Sequence, residues 1–351
     1  MALPADSKTK IAEKLNKATL LKTFDSLKHL RVLIIGDTIV DQYIFVYPKS
    51  RAIKDPILSA EYDYHETYAG GILAIANHIS DFVHSAHVVT ILGDQRTKEE
   101  FVKQSLRKNV TLKTFIKKNA PTTIKRRYVD SYRDNNKLFK VEYINDEPIT
   151  NELSQEITAY LSSILSSSSY DLVVVGDFGH GFIDNAIRSV IQEKAPFLAI
   201  NVQSNSANMG YNYITQYQKP DFVTINNQEL RLPLGMRFEP LDKVIQEIKR
   251  RYQTTKFLIT LGKTGSIYTH HGGTFSAPIL TDQVKDTIGA GDSSFSITSL
   301  LSFVPQEDEE LIPLIANCAG AIIAKVRGNK ESLTKQSLLD FVETLNRGEQ
   351  P

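Results

Sequence analysis

Apolar residues recur along the chain in short unbroken runs, and several of these runs end in Gly, Asp or Asn. They occupy residues 31–37, 87–94, 171–177, 197–203, 222–227 and 257–262. Unbroken runs rich in Val and Ile are typical of strands buried on both faces of a sheet. Residues 241–252 and 311–326 carry apolar side chains at helical spacing. The alternation predicts an α/β fold, a three-layer sandwich with helices on both sides of a mostly parallel sheet.

Two segments, at about residues 39–64 and 121–144, break this pattern because polar and apolar residues alternate in them. Residues 128–132 (YVDSY) are an example. Such alternation is typical of antiparallel strands with one solvent-facing side, so we pair the two segments into a small β-lid. Exposed lid edges favour pairing with the lid of a second copy, which predicts a homodimer.

The N-terminal residues 1–30 are polar and rich in Lys, with apolar residues only at a loose helical spacing. We expect a helical extension there, either a helix on the protein's own surface or a junction to another domain or partner. Residues 31–345 then form one α/β domain that includes the β-lid. The segment lacks the apolar centre of a secretory signal, which favours a cytoplasmic protein.

Composition argues against several classes of partner. The 41 Lys and Arg residues nearly balance 40 Asp and Glu residues, and a net charge of +1 gives no electrostatic basis for binding nucleic acid or an anionic membrane. No apolar run approaches the ~20 residues that cross a bilayer. The one cysteine, Cys318, lies in an apolar helical pattern, so neither a disulfide framework nor a cysteine metal site is expected.

The strongest chemical signal is the run from Asp286 to Asp292 (DTIGAGD), which directly precedes an apolar helical pattern. Free N–H groups in the first turn of a helix bind anions. A carboxylate at the same place can take a proton from an attacking hydroxyl. We therefore expect Gly289, Ala290 and Gly291 to form an anion hole, with Asp292 as general base, for phosphoryl transfer to an alcohol.

The sequence does not match two other nucleotide-binding motifs. The GKT at 262–264 resembles the end of a P-loop, but the glycine required five positions earlier is Phe257. The GAG at 289–291 resembles the start of a dinucleotide fingerprint, but Ser294 stands at the third glycine position and no apolar strand comes before it. We reject a nicotinamide-dependent dehydrogenase on that ground.

The run at 286–292 also resembles the C-terminal signature of the ribokinase (PfkB) family of sugar kinases, and further family features follow in the family's order. The matching stretches are Gly36-Asp37 with Asp41, Gly70-Gly71, 226–229 (NNQE), 260–265 (TLGKTG) and 316–321 (ANCAGA). The resemblance runs from about residue 31 to 342. It implies a ribokinase-like fold and transfer of the γ-phosphate of ATP, assisted by Mg²⁺, to a hydroxyl of a sugar or sugar phosphate.

The resemblance also implies roles for individual residues. Those expected at the sugar are Asp37, Asp41, Gly70 and Gly71. Those expected at ATP are Asn226, Glu229, Thr260, Gly262, Gly265, Thr287 and Asn317. Asn226 and Glu229 are expected to hold Mg²⁺ through water, and a monovalent cation such as K⁺ is expected near the Asp286 loop.

Within the family, residues 36–43, 122–127 and 139–142 most resemble the heptose 7-phosphate kinase domain of bifunctional heptose kinase/nucleotidyltransferases. A phosphorylated sugar needs cations, and we expect Lys54 and Arg127 of the lid to bind it.

Two positions depart from that subgroup. Ala74 replaces the asparagine that follows its di-glycine, and Asn77, one helical turn later, is our substitute candidate for the sugar. The segment 177–181 (DFGHG) also differs from the subgroup's pattern. A heptose 7-phosphate-like acceptor is the leading prediction. A kinase of another pentose, hexose or nucleoside stays open, as does a non-catalytic ATP-binding module of the same fold. We expect a nucleotidyltransferase as a fused domain or a separate partner.

Overall fold

A computed structural model describes residues 11, 13–51, 57–133, 136–167, 169–206, 208–252, 254 and 256–349. The strands found within these residues are β1 (Arg31–Gly36), β2 (Thr38–Arg51), β3 (Leu58–Gly71), β4 (Ser85–Gln95), β5 (Val110–Pro121), β6 (Ile124–Asp130), β7 (Lys137–Tyr143), β8 (Leu172–Asp177), β9 (Leu198–Val202), β10 (Phe222–Asn226), β11 (Phe257–Thr260), β12 (Ser266–His270) and β13 (Gly273–Ala277).

The central sheet has nine strands in the order β13-β12-β11-β10-β9-β8-β1-β4-β5. The strands from β11 to β5 in this order are mutually parallel, and β12 and β13 add an antiparallel hairpin at one edge. All six apolar runs predicted as strands lie in this sheet, which confirms the mostly parallel arrangement. The carboxyl ends of the parallel strands meet at one edge, where ligands bind in sheets of this kind.

Helices cover both faces of the central sheet. The α-helices of the described residues are α1 (Lys17–Leu27), α2 (Ile72–Ser80), α3 (Glu99–Gln104), α4 (Asn151–Ser166), α5 (Asn185–Lys194), α6 (Asn227–Arg231), α7 (Leu241–Arg251), α8 (Ala290–Phe303), α9 (Leu311–Ala324) and α10 (Lys335–Asn346). Alternate residues of β1 send Val32 and Ile34 into one core and Leu33 and Ile35 into the other. The first core includes α1, α2 and α8 to α10, and the second includes α4, α5 and α7. The three-layer prediction is therefore confirmed.

A second, smaller sheet has the strand order β3-β2-β6-β7. Strand β2 pairs antiparallel with β3 and parallel with β6, while β6 pairs antiparallel with β7. The two alternating segments of the sequence thus meet in one sheet, although Pro121 still belongs to β5 of the central sheet. Along β2, Asp41 and Tyr43 face the edge of the central sheet, whereas Gln42 and Ile44 line a groove on the opposite, outer face.

The N-terminal helix α1 packs onto this fold. Leu20, Phe24 and Leu27 are buried in the first core, and Lys17 forms a 2.7 Å ion pair with Glu343 of α10. Lys54, which we expected at the sugar, lies outside the described residues. Within the described ranges, no helix has both the length and the apolar character that crossing a membrane requires.

Candidate active site

Two adjoining cavities open at the carboxyl edge of the parallel strands. The central cavity, about 310 Å³, lies between that edge, the start of α8 and the small sheet; its lining includes Asp41, Lys125, Arg127, Asn226, Glu229 and Asp292. The side cavity, about 300 Å³, lies beside α9; its lining includes Gly262, Gly265, Asn317 and Ala321. Thr260, Thr287 and Gly291 line both cavities. A single elongated ligand can therefore contact both.

The start of α8 lies where the two cavities meet. Gly289 caps the helix with a φ of +85°, a backbone conformation that favours glycine, and a Cβ there would overlap the side chain of Asn329. A Cβ at Gly291 would meet no protein atom within 4 Å. Since N–H groups in a first helical turn lack intrahelical acceptors, Gly291 and Asp292 present free donors and the positive end of the helix dipole to an open space. Of the anion hole predicted at 289–291, Gly291 has an open backbone, whereas the Ala290 N–H donates to the Thr287 carbonyl at 3.4 Å.

Asp286 anchors the loop before α8 through both carboxylate oxygens. Oδ1 accepts hydrogen bonds from Lys137 Nζ at 2.6 Å and from the Ile288 N–H at 3.1 Å. Oδ2 accepts from the Tyr43 hydroxyl at 3.0 Å and from the Gly328 N–H at 3.2 Å. Burial raises the pKa of Asp286, but the hydrogen bonds and the charge of Lys137 outweigh burial and hold the pKa below its usual value. Strands β2 and β7 of the small sheet thereby hold the loop before α8.

The K⁺ predicted near Asp286 does not fit these contacts. A monovalent cation needs free oxygen ligands, whereas both oxygens of this carboxylate already accept from N–H or O–H donors. One of these donors is the Lys137 ammonium, whose positive charge would repel a metal ion beside it. Lys137 supplies a positive charge at this carboxylate.

Asp292, the predicted base, lies in the first turn of α8 and lines the central cavity. Its Oδ1 accepts a 2.8 Å hydrogen bond from Gln203 Nε2, in the turn after β9. Burial raises the pKa of Asp292 to about 7; the Gln203 hydrogen bond lowers it, the charge of Asp41 raises it, and the charge of Lys125 lowers it. A carboxyl group with a pKa near neutrality is matched to general-base catalysis at neutral pH.

Asn226 and Glu229, the predicted Mg²⁺ residues, form a capping box at the start of α6. The Glu229 N–H donates to Asn226 Oδ1 at 2.8 Å, and the Asn226 N–H donates to Glu229 Oε2 at 3.3 Å. Glu229 Oε1 also accepts from the Ser204 N–H at 3.0 Å, which ties it to the turn that carries Gln203. Burial, aided by the charge of Asp292, raises the pKa of Glu229 to about 7. Asn226 and Glu229 therefore cap α6 and also line the central cavity.

The central cavity contains two carboxyl groups with raised pKa values, Glu229 and Asp292. A divalent cation bound beside them would stabilise their ionised forms. The described residues contain no cluster of three or more His, Cys, Asp or Glu side chains able to hold a metal. The residues present therefore fit a Mg²⁺ ion that is held mainly by phosphate oxygens and water, as is usual for this ion.

Asp41 is the acidic group that the small sheet places in the central cavity. It is buried, forms an ion pair with Arg127 Nη1, and its Oδ2 accepts a 3.4 Å hydrogen bond from Asn329 Nδ2. Gly71 lines the same cavity with a φ of +55°, and a Cβ on Gly70 would overlap the Asp41 carboxylate. The di-glycine therefore leaves room for Asp41. Arg127, predicted to bind a substrate phosphate, lines this cavity and also orients Asp41.

Three predicted sugar-binding residues, Asp37, Gly70 and Asn77, do not line the central cavity. Asp37 is buried, and its Oδ2 accepts from the Phe178 N–H at 3.1 Å, so it stabilises the turn after β8. The Asn77 amide donates to the Ser105 carbonyl at 2.8 Å, and its Oδ1 accepts from the Arg107 N–H at 3.2 Å. Asn77 therefore joins α2 to the segment after α3. Our choice of Asn77 for the sugar is corrected accordingly.

The side cavity has the mainly apolar lining that a flat apolar ring needs. Its walls include Ile279, Val284, Ala316 and Ala324, beside the turn at Gly262 and Gly265. Asn317 lines it, but its amide is already bonded to the Ala277 and Pro278 carbonyls at 3.0 and 2.8 Å, and its Oδ1 accepts from Ser266. Asn317 thus fixes the cavity wall and has little capacity left to bind a ligand.

Five side chains with clear roles in this site were not predicted from the sequence. They are Tyr43, Lys125, Lys137, Gln203 and Asn329. Gln203 ends one of the six apolar runs, so its position at a strand end was an available signal. Tyr43 and Lys125 lie in the stretches 36–43 and 122–127 that carry the subgroup resemblance, which was also an available signal. Lys137 and Asn329 depend on contacts between distant segments, for which the local sequence carries no pattern.

Comparison with known proteins agrees with this geometry. A profile of the pfkB family of carbohydrate kinases matches residues 29–335. The chain is 20% identical over 336 residues to the bifunctional protein HldE of Helicobacter pylori strain J99, covering 91% of this chain and 71% of that protein. It is 23% identical to HldE of Wolinella succinogenes, covering 91% and 66%. The chain spans about two thirds of the length of these relatives.

Solved structures share the fold at low sequence identity. Phosphofructokinase-2 from Escherichia coli, in complex with fructose-6-phosphate, superposes with a TM-score of 0.67 at 14% identity, covering 91% of this chain and 100% of that one. Ribokinase from Arabidopsis thaliana, complexed with ribose and ATP, gives a TM-score of 0.63 at 15% identity, covering 90% and 99%. The ribokinase-like fold predicted from the motifs is thereby confirmed.

Proposed function

The chain belongs to the pfkB family of carbohydrate kinases, and on that premise we propose that it transfers the γ-phosphate of ATP to a hydroxyl of a sugar or sugar phosphate at Asp292. One observation carries the assignment of the site. Asp292, with its pKa raised to about 7, stands in a first helical turn beside the unobstructed backbone of Gly291. A base and an anion hole therefore lie side by side where two cavities meet.

The reaction follows from these positions. Asp292 takes the proton of the acceptor hydroxyl as the hydroxyl oxygen forms a bond to the γ-phosphorus of ATP. The bond from the γ-phosphorus to the bridging oxygen breaks, and ADP leaves with that electron pair. Gln203 holds the Asp292 carboxylate in place. The N–H groups of Gly291 and Asp292 stabilise the negative charge on the transferring phosphoryl group.

The two cavities divide the substrates. The apolar side cavity takes the adenine, and the phosphates extend past Thr287 to Gly291. Members of the ribokinase family use ATP with a divalent metal. Asn226 and Glu229 are the residues that would hold Mg²⁺ through water, and the ion supplies neutralisation of charge on the phosphate oxygens.

The acceptor occupies the central cavity. The buried carboxylate of Asp41, fixed by Arg127, accepts hydrogen bonds from sugar hydroxyls, which are stronger than neutral hydrogen bonds because the acceptor is charged. The leading candidate acceptor is a heptose 7-phosphate-like sugar, supported by the likeness to the HldE proteins. Because those relatives are longer than this chain, the proposal also includes a nucleotidyltransferase that acts with the kinase, either as a fused domain or as a separate protein.

A screen of sugars and sugar phosphates for ATP turnover tests this function, with Asp292→Asn as the decisive variant. It should bind ATP normally and lose about 10²- to 10⁴-fold in kcat, because the proton acceptor is removed. Asp242→Asn is the matched control, since Asp242 occupies the first turn of α7, away from both cavities. Near-normal turnover in Asp292→Asn would overturn the proposed base. ATP binding with no turnover on any acceptor would favour a non-catalytic module.

We also propose that two copies pair through the outer face of the small sheet. This face carries a groove of about 660 Å³ with an apolar lining that includes Ile44, Leu58, Tyr62, Tyr128 and Phe139. Leu58 is 78% exposed and Phe139 51% exposed. An apolar patch of this kind, on the side away from the substrates, marks a protein interface. The homodimer predicted from the exposed lid edges is therefore also supported by an apolar surface through which two copies can pair.

Sedimentation of Phe139→Asp tests this dimer. The charge should shift the protein to monomer, because a buried unpaired carboxylate is costly in an interface. Exposed Tyr211 lies far from the groove in sequence and is not part of its lining, so Tyr211→Asp is the control. A monomeric wild type would exclude the dimer.

A further inference from the structure

Resting on the proposed function, we propose that Lys125 of β6 binds a phosphate group in the central cavity, so that the small sheet contributes directly to phosphoryl chemistry. Lys125 lines this cavity and is the register partner of Asp41 on β2. It therefore lies on the same face of the small sheet as Asp41, in a cavity shared with Gly291 and Asp292.

The neighbouring charges leave Lys125 without a partner. Lys125 has two acidic register partners, and each pairs with another cation: Asp41 of β2 with Arg127, and Glu142 of β7 with Lys140. Asp41 also accepts from Asn329. Other cations of the small sheet are engaged: Arg126 bonds to Gln42 and Tyr143, and Lys140 pairs with Glu142. Within the described residues, the ammonium group of Lys125 forms no hydrogen bond or ion pair.

An unpaired ammonium in such a place carries a free-energy cost. Burial lowers the pKa of Lys125, whereas the charges of Asp41 and Glu142 raise it. A partly buried charge is tolerated when an opposite charge and hydrogen bonds satisfy it, but the acidic groups around Lys125 bind other donors: Asp41 binds Arg127 and Asn329, Glu142 binds Lys140, and Asp292 binds Gln203. The missing partner is therefore an anion that enters the cavity with a ligand.

Phosphate is the anion that the surroundings favour. The first turn of α8 borders the same cavity with N–H donors, and lysine binds phosphate as a mobile point charge. Two phosphates can reach this position: the γ-phosphoryl group of ATP and a phosphate carried by the acceptor. The chemistry is the same, and experiment separates the two sources.

Lys125→Met removes the charge while keeping a similar length, and Arg126→Met is the matched control because Arg126 lies on the outer face of the same strand. Calorimetry with ADP and with a non-hydrolysable ATP analogue needs no turnover, so it is independent of the proposed acceptor. Loss of one charged hydrogen bond lowers affinity about ten- to a hundredfold. If Lys125 binds the γ-phosphoryl group, Lys125→Met should bind the ATP analogue more weakly by this factor and bind ADP normally. Lys125→Arg should then restore part of the affinity for the analogue.

If Lys125 binds the acceptor's phosphate, both nucleotides bind normally. The KM for the sugar phosphate found in the screen then rises about tenfold, whereas the KM for the matching unphosphorylated sugar does not change. Either result supports the proposal. Unchanged nucleotide affinities together with unchanged acceptor kinetics would overturn it, as would equal losses in Lys125→Met and Arg126→Met.

Discussion

The central cavity has two walls that are built in different ways. On the central-sheet side, the key groups are backbone donors at the start of α8 and acids at strand ends or helix starts, such as Asp292 and Glu229. On the small-sheet side, the key groups are side chains that meet across long stretches of sequence. Arg127 pairs with Asp41, 86 positions away, and Lys137 pairs with Asp286, 149 positions away.

This difference separates two tasks. In the proposed mechanism, the central-sheet wall provides phosphoryl chemistry through the backbone geometry at the start of α8. The small-sheet wall sets charge and position through ion pairs that can be changed one residue at a time. Perturbing the central-sheet wall should therefore change the catalytic rate strongly. Perturbing the small-sheet wall should change substrate affinity, the pH dependence of the reaction and the attachment of the loop at 286–292.

Gly291→Ala tests the central-sheet wall and should have the largest effect. The added methyl group meets no protein atom, so the fold accepts it, and alanine in place of glycine stabilises a helix by up to about 1 kcal/mol. The same methyl group occupies the space assigned to the phosphates and should lower kcat/KM about a hundredfold. Thermal unfolding and steady-state kinetics should thus move in opposite directions. Unimpaired kinetics would show that no phosphate approaches Gly291.

Lys137→Met tests the attachment of the small sheet to the loop and should lower kcat/KM about tenfold through a displaced loop. Asp286 has a folded pKa below its usual value, so its pairing stabilises the fold above the unfolded pKa and the effect is lost as pH falls through the folded pKa. Removing Lys137 should therefore destabilise the protein at neutral pH, by about 1–2 kcal/mol given the partial exposure of the pair.

The control for this experiment is Lys140→Met, on the same strand, because Lys140 pairs with Glu142 and not with the loop. Denaturant unfolding at pH 7 reports the stability of each variant. Exchanging K⁺ for tetramethylammonium should leave the wild-type rate unchanged, since Lys137 already supplies the charge at Asp286. A wild-type enzyme that requires K⁺ would contradict this interpretation.

The sequence predicted the central-sheet wall well and the small-sheet wall poorly, for a physical reason. Gly289 to Asp292 is a local motif, in which the spacing of the residues itself sets the helix start. Asp37 also ends a strand, yet its carboxylate turns toward the Phe178 N–H, which strand periodicity does not specify. Arg127 was predicted to bind substrate because a phosphorylated sugar needs cations; its ion pair with Asp41 joins distant segments, so the sequence did not reveal that pair. Lys125 was not singled out, since its lack of a partner depends on that same ion pair.

Asp292→Asn should lower activity but raise the free energy of unfolding at high pH. The effect on stability should be the smaller of the two. A carboxyl group whose folded pKa is raised stabilises the protein at low pH, and this contribution is lost as pH rises through about 7. At pH 8 the wild type therefore holds a disfavoured charge. The amide should raise the free energy of unfolding at pH 8 by about 1–2 kcal/mol, discounted for access of solvent to the cavity, and should change it little at pH 5. Denaturant unfolding at the two pH values checks this difference.

The pH dependence of kcat/KM, measured for the wild type and for Lys125→Met, tests most directly whether the two walls act together on Asp292. In the wild type, kcat/KM should rise with pH to a plateau above an apparent pKa of about 7, as the base becomes ionised. Because the charge of Lys125 lowers the pKa of Asp292, Lys125→Met should move that rise to higher pH. A wild-type profile that stays flat between about pH 5.5 and 8.5, or a rise at the same pH in both proteins, would contradict the account.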